Sequence, residues 1–111
     1  MDYNEDLTRR IRTALKIFPE IFEEKKMFGG LAFLYKGKMT VGPIKARLMV
    51  RVRDAKMASE LAKPFVEPMD FTGRPMKEFI YVLPEGYQSE EQLHYWITLG
   101  LEHAKQKLNE S

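Results

Sequence analysis

Arg47-Leu48-Met49-Val50-Arg51-Val52-Arg53 alternates aliphatic residues with arginine or methionine over seven positions. Successive side chains on a strand point to opposite faces, so Leu48, Val50 and Val52 share one face and Arg47, Met49, Arg51 and Arg53 the other. Such alternation belongs to an antiparallel strand with one face on the core and one in water. Upstream, Leu31 to Tyr35 reads as a strand, Lys36-Gly37 as a two-residue hairpin turn, and Lys38 to Val41 as the returning strand. Gly42-Pro43 is expected to break or bend it, because proline has no N–H to give a ladder. Met27-Phe28-Gly29-Gly30 begins this meander, and its paired glycines predict a bulge or sharp bend.

Outside the meander the period changes. Leu7, Ile11, Ala14, Leu15 and Phe18 recur at helical spacing. Asp2 with Glu5 is a candidate capping box, and Pro19 ends or kinks the helix at Phe18. Ile21 and Phe22 are expected to continue the core through a turn. After Arg53, Asp54 is expected to cap a short helix with Met57, Ala58, Leu61 and Ala62 inward, ended by Pro64. Pro68 to Pro75 is rich in turn residues and reads as a loop. Phe79 to Leu83 is apolar on both sides and reads as an interior strand, followed by a turn at Pro84-Glu85-Gly86. Ser89 opens the last helix with Gln92 completing a capping box, and Leu93, Ile97, Gly100, Leu101, Ala104 and Leu108 form its stripe, with Trp96 at the edge. Helices and strands are segregated. The expected fold is therefore α+β, a two-layer sandwich in which a curved antiparallel β-meander packs against N- and C-terminal helices.

A chain of 111 residues with 44% hydrophobic and 31% charged residues is expected to be one domain with one packed core. Cysteine is absent, which excludes disulfides, thiolate metal sites and a cysteine nucleophile. The start, Met1-Asp2-Tyr3-Asn4-Glu5-Asp6, is acidic and polar, unlike a secretory signal. The longest uncharged runs, Met27 to Tyr35 and Leu93 to Leu101, fall far short of the ~20 residues of a membrane helix. A cytoplasmic protein without membrane attachment is expected.

Charge is distributed unevenly. Residues 25–56 hold nine basic residues and one acid, a surplus of +8, whereas the flanking segments are net acidic and the whole chain is only +2. Arg47, Arg51 and Arg53 on one strand, with Lys36 and Lys38 at the neighbouring hairpin, form a candidate surface for an anionic partner, either nucleic acid or protein. The same residues also suit a strand protected from edge-to-edge pairing or paired with the chain's own acids. Self-association as a symmetric homodimer is a further expectation.

Groups able to do chemistry are sparse. His94 and His103 are nine residues apart, about half a turn out of phase on a helix, so they cannot share a metal; both read as solvated surface histidines. Glu23-Glu24 and Glu90-Glu91 are sequence neighbours whose side chains diverge. Gly29-Gly30 lacks the rest of any phosphate-binding loop. Seven methionines read mainly as fillers of core gaps, with Met49 the one placed among arginines. The remaining candidate is Asp70-Phe71-Thr72-Gly73-Arg74-Pro75-Met76-Lys77. There Asp70 tightens a turn, Gly73 takes positive φ, and Arg74 and Lys77 are presented as an anion clamp of a small-anion-binding protein or enzyme. No catalytic residue, metal or cofactor is assigned, and a non-enzymatic regulatory or interaction role is expected.

Lys26-Met27-Phe28-Gly29-Gly30-Leu31-Ala32-Phe33-Leu34, Gly37-Lys38-Met39, Arg47 to Val52, Asp70 to Lys77 and Tyr81-Val82 resemble, in order, the N-terminal domain of the TfoX/Sxy family. The strings around Phe28-Gly29-Gly30 and Gly73-Arg74-Pro75-Met76 are the specific ones, and the likeness runs over about residues 7–105. The resemblance implies a curved antiparallel sheet with helices against it. It also implies kinship with regulators of bacterial natural competence, in the stand-alone form rather than joined to a helical C-terminal domain. It brings no catalytic residue. Glu78 stands where relatives often carry a small residue, and Lys45-Ala46-Arg47 is more basic than the turn such relatives have.

Overall fold

The computed structural model describes residues 4–27, 29–71 and 73–110, with the side chains of Phe71, Arg74, Pro75 and Glu110 outside the description. The chain runs through helix α1 (Glu5–Leu15), strands β1 (Phe22–Met27), β2 (Gly30–Tyr35), β3 (Lys38–Ile44) and β4 (Arg47–Arg51), helix α2 (Asp54–Leu61), strands β5 (Val66–Phe71) and β6 (Arg74–Val82), a 3₁₀ turn (Pro84–Gly86) and helix α3 (Glu90–Glu110). The strands form one antiparallel sheet in the order β1-β2-β3-β4-β6-β5. The architecture is the expected α+β arrangement of a curved sheet with N- and C-terminal helices. None of the helices described is long and apolar enough to cross a membrane.

Local chemistry accounts for several boundaries. Ser89 and Gln92 exchange hydrogen bonds, the Ser89 N–H to Gln92 Oε1 at 3.0 Å and the Gln92 N–H to Ser89 Oγ at 3.1 Å, as the capping box requires. Lys36 and Gly37 both take positive φ, 49° and 81°, which gives the hairpin a twist matching its strands. Gly29 has φ 78° between β1 and β2, so the paired glycines mark a hairpin turn and not a bulge within one strand.

Other boundaries depart from the sequence reading. Asn4, not Asp2, is the N-cap of α1; its Oδ1 accepts from the Leu7 N–H at 3.0 Å, and Asp2 lies outside the described residues. Ile21 does not continue the core and is 82% exposed, while Phe22 opens a strand whose charged sequence, Phe-Glu-Glu-Lys-Lys-Met, has no apolar alternation. That strand exists because β2 offers it a full row of partners, from Phe22↔Tyr35 to Met27↔Gly30. Gly42-Pro43 does not interrupt β3, since pairing with β4 continues through Gly42↔Met49 and Pro43↔Leu48. Register with β2 reaches only Val41↔Phe33, so the N–H that Pro43 lacks falls beyond that ladder. Thr40 is the extra residue of a bulge here, and its hydroxyl donates to the Phe33 carbonyl at 2.8 Å. Residues 68–75 are not a loop but the β5–β6 hairpin, with Asp70 opposite Pro75 and Gly73 at φ 78° in the turn. In α2 the inward residues are Met57, Glu60 and Leu61, whereas Ala58 and Ala62 are exposed; Arg53 occupies the N-cap position without a side-chain bond, and Asp54 lies inside the helix.

The core has two parts. On the helix-bearing face, Leu7 and Ile11 of α1 and Leu93, Trp96, Ile97 and Leu101 of α3 pack on Phe33, Val41, Leu48, Val50, Ile80 and Val82. The Trp96 indole N–H donates to the Gly86 carbonyl at 2.7 Å, so the buried ring keeps its polar atom satisfied. The opposite face carries a second cluster of Ala32, Leu34, Met39, Ile44, Met49, Met69, Phe79 and Tyr81, bordered by Met27 and Met76. Every one of these residues comes from a strand, so the curved sheet closes this cluster upon itself. Five of the seven methionines gather there, where unbranched side chains suit irregular gaps. Met49 is fully buried, which corrects the expectation that its face of β4 is wet.

Candidate functional site

The arginines beside Met49 explain how that face is sealed. Arg51 sits directly opposite Phe79 in the ladder, and its guanidinium lies 4.1 Å from the centre of that ring. Arg47 lies 3.8 Å over the Tyr81 ring, diagonally across the same strand pair, and reaches Glu67 at 3.9 Å. Guanidinium groups over aromatic faces combine cation–π attraction with an apolar stem that covers hydrophobic surface. The basic strand therefore roofs the second cluster, and the two arginines are engaged within the molecule.

The other predicted residues scatter around this roof. Lys36 and Lys38 are exposed at the β2–β3 hairpin. Arg53 is half-buried at the start of α2, with its Nε buried and without a hydrogen-bond partner. Asp70 and Lys77 are exposed on the β5–β6 hairpin, and the Asp70 carbonyl accepts from the Tyr81 hydroxyl at 3.3 Å. The Arg74 side chain lies outside the described residues. Arg47, Met69, Asp70 and Gly73 line one open cavity of about 430 Å³, which joins residues of the two predicted sites.

The densest polar cluster was only half anticipated. His103, read as a solvated helix histidine, is 3% exposed. Its Nε2 lies 2.9 Å from Arg51 Nη2 and 3.4 Å from Glu78 Oε1. Glu78 Oε1 is also 3.6 Å from Arg51 Nη2 and from Lys107 Nζ, and Glu78 Oε2 accepts from the Asp54 N–H at 3.3 Å. Glu78 has φ 63°, a left-handed conformation uncommon outside glycine, so its departure from a small residue falls on a backbone that favours one. One carboxylate thus joins β6, β4, α2 and α3. His103 follows the buried Trp96 and Leu99 at i+7 and i+4 on α3, a spacing that signals a buried position, and its polar partners lie 52 and 25 positions earlier.

Arginine only donates, so the short contact makes His103 Nε2 the acceptor and leaves the proton on Nδ1. That Nδ1 is buried with no hydrogen-bond partner. Burial first, then Arg51 and Lys107, holds the His103 pKa below its usual 6.5, against the opposite pull of Glu78. Burial also opposes ionisation of Glu78, but once acid has protonated His103 its hydrogen bond and charge, with Lys107 and the Asp54 N–H, outweigh it and place the Glu78 pKa below 4.5. An unfolded histidine takes up a proton near 6.5, while the folded one resists until lower pH. The unfolded state then binds more protons in that window, so stability is fully present above 6.5 and falls as pH drops through it. Glu78 adds a loss in the same direction once pH falls below 4.5. Urea midpoints are expected to decline between about pH 7.5 and pH 5.5. His103→Gln, which removes the titrating group, should flatten that decline; an unchanged slope in the variant would refute the assignment.

The cluster forms one end of a half-open cavity of about 410 Å³ between the β2–β3 hairpin, β4, β6 and α3. Among the described residues, no group of three or more histidine, aspartate or glutamate side chains is placed to hold a metal ion. Comparison with curated proteins returns no match. The model of the TfoX N-terminal domain matches residues 14–104, most of the 111-residue chain and all six strands. With that match lying over the helix-backed antiparallel sheet described above, the chain belongs to the TfoX N-terminal domain family.

Proposed function

We propose that the chain works by binding rather than by catalysis, as a competence-regulator-like domain that docks an acidic segment of a partner protein on its first three strands. The observation that supports this reading is a division within the basic stretch. Arg47 and Arg51 are ion-paired and stacked on rings of their own sheet. Lys25, Lys26, Lys36 and Lys38 are exposed on β1 and the β2–β3 hairpin, and among the described residues none of them is in an ion pair. Ile21, immediately before β1 and so beside the β2–β3 hairpin, is 82% exposed, which adds apolar contact beside the lysines. A partner with both acidic and aliphatic residues complements that mixture better than a phosphate backbone does, because interface cores need apolar anchors. Exposed lysines contribute mainly to encounter rate and orientation.

Two labelled probes distinguish the readings by fluorescence anisotropy at about 50 mM salt: a peptide of alternating glutamate and leucine, and a short mixed-sequence DNA duplex. The peptide is expected to bind, and Lys25→Glu with Lys36→Glu and Lys38→Glu to weaken it at least tenfold, about 1.4 kcal/mol. Arg47→Gln is expected to change it little. Tight duplex binding with a steep salt dependence would replace this reading by a nucleic-acid one, and binding of neither probe would remove the lysine surface from consideration.

A further inference from the structure

The cavity beside His103 has the makings of a ligand site that shares only Lys38 with the docking lysines. Leu34, Met39, Met76 and Phe79, with Met27, supply apolar walls. Arg51, His103 and Lys107 close one end, and Lys38 stands at the rim. Arg51 and Lys107 are the cations here, each 3.6 Å from Glu78, and neutral His103 adds an N–H donor, so this end offers both positive charge and hydrogen-bond donors. Two nitrogens here, His103 Nδ1 and Arg51 Nε, are buried with no hydrogen-bond partner. Each such N–H bears the full desolvation cost of an unmade bond, and both belong to residues that line the cavity. The His103 side chain is only 4% exposed, so bulk water does not satisfy it.

We propose that this cavity binds a small monocarboxylate with an aliphatic or aryl-alkyl body. The carboxylate lies at the Arg51–His103–Lys107 end and the body lies along the methionines. A volume of about 410 Å³ falls within the range of small-molecule sites. Methionine side chains reshape easily around apolar ligands of varied outline. A single negative charge suits the site better than a phosphate, because Glu78 stands among the same cations and repels a second charge. Carboxylate recognition by arginine is among the stronger charge-assisted contacts available to a protein.

The test uses the whole chain labelled with ¹³C at the methionine methyl groups, titrated with octanoate and, separately, with 1-octanol. Octanoate is expected to shift the methyl signals of Met27, Met39 and Met76 saturably and to leave that of Met57, on α2, in place. The alcohol is expected to bind about tenfold more weakly. Arg51→Gln should remove octanoate binding. Because that variant alters a buried cluster, Lys38→Glu at the exposed rim serves as the second probe, with an expected weakening of about three- to tenfold in a chain whose other signals are unchanged. No methyl shift up to about 10 mM octanoate, equal affinity for the alcohol, or a folded Lys38→Glu chain with undiminished affinity would each overturn the proposal. The docking surface is assayed by the acidic peptide and by Lys25→Glu and Lys36→Glu, at residues that do not line the cavity, so either idea can fail without the other.

Discussion

Met49→Ala is expected to destabilise the fold by about 2–5 kcal/mol, as for other large-to-small changes at fully buried sites. The sequence reading put Met49 on a wet face, where substitutions usually change stability by less than about 0.5 kcal/mol. The structure buries it completely, opposite Tyr81 in the ladder and in the cluster with Met39, Met69 and Phe79. Removing the side chain leaves a cavity under the Arg47 and Arg51 roof, and the ring contacts of both arginines hinder its collapse. Urea denaturation of the variant separates the two cases: a loss below about 0.5 kcal/mol would place Met49 at the surface after all.

Gly100→Ala is expected to destabilise by about 1–3 kcal/mol, as overpacking does. In an ordinary helix interior the same change would stabilise by about 1 kcal/mol. Gly100 lies within α3, where a Cβ would stand 2.6 Å from the Thr40 carbonyl oxygen and 2.8 Å from its carbon. The obstacle is backbone, and it belongs to the bulge that Thr40 fastens to Phe33. It cannot retreat without breaking that bond or lifting α3 off β3. Thermal or chemical unfolding reads the sign directly, and a gain in stability would mean that α3 rides higher on the sheet than described.

Local chemistry carried much of the fold into legible sequence. Lys36-Gly37 announced its hairpin because a two-residue link between adjacent strands favours positive φ, which glycine supplies readily. Ser89 and Gln92 announced the start of α3, and the stripe from Leu93 to Ala104 its buried face. Elements defined by distant partners were not legible. The residues of β1 have no strand pattern of their own, and Pro68 concealed β5 because its place at a sheet margin is a property of the assembled sheet. The candidate sites suffered most. Alternation correctly set Arg47 and Arg51 on the face away from Leu48 and Val50, but nothing local shows Phe79 and Tyr81 waiting under their guanidinium groups. The spacing of His103 from Trp96 and Leu99 signals its burial, but not that Arg51 and Glu78 meet it across the fold.

The order of strands also bears on how the polypeptide acquires its shape as it leaves the ribosome. The first four strands lie side by side in the sequence in which they are made, so each finds its neighbour at once. β4 must wait for its second neighbour, because the chain passes through α2 and β5 before β6 arrives to lie between β4 and β5. Until residue 82 has emerged, one margin of β4, with Leu48 and Val50 on it, stays unpaired. The nascent protein thus carries a sticky seam during synthesis, closed when β6 pairs with β4.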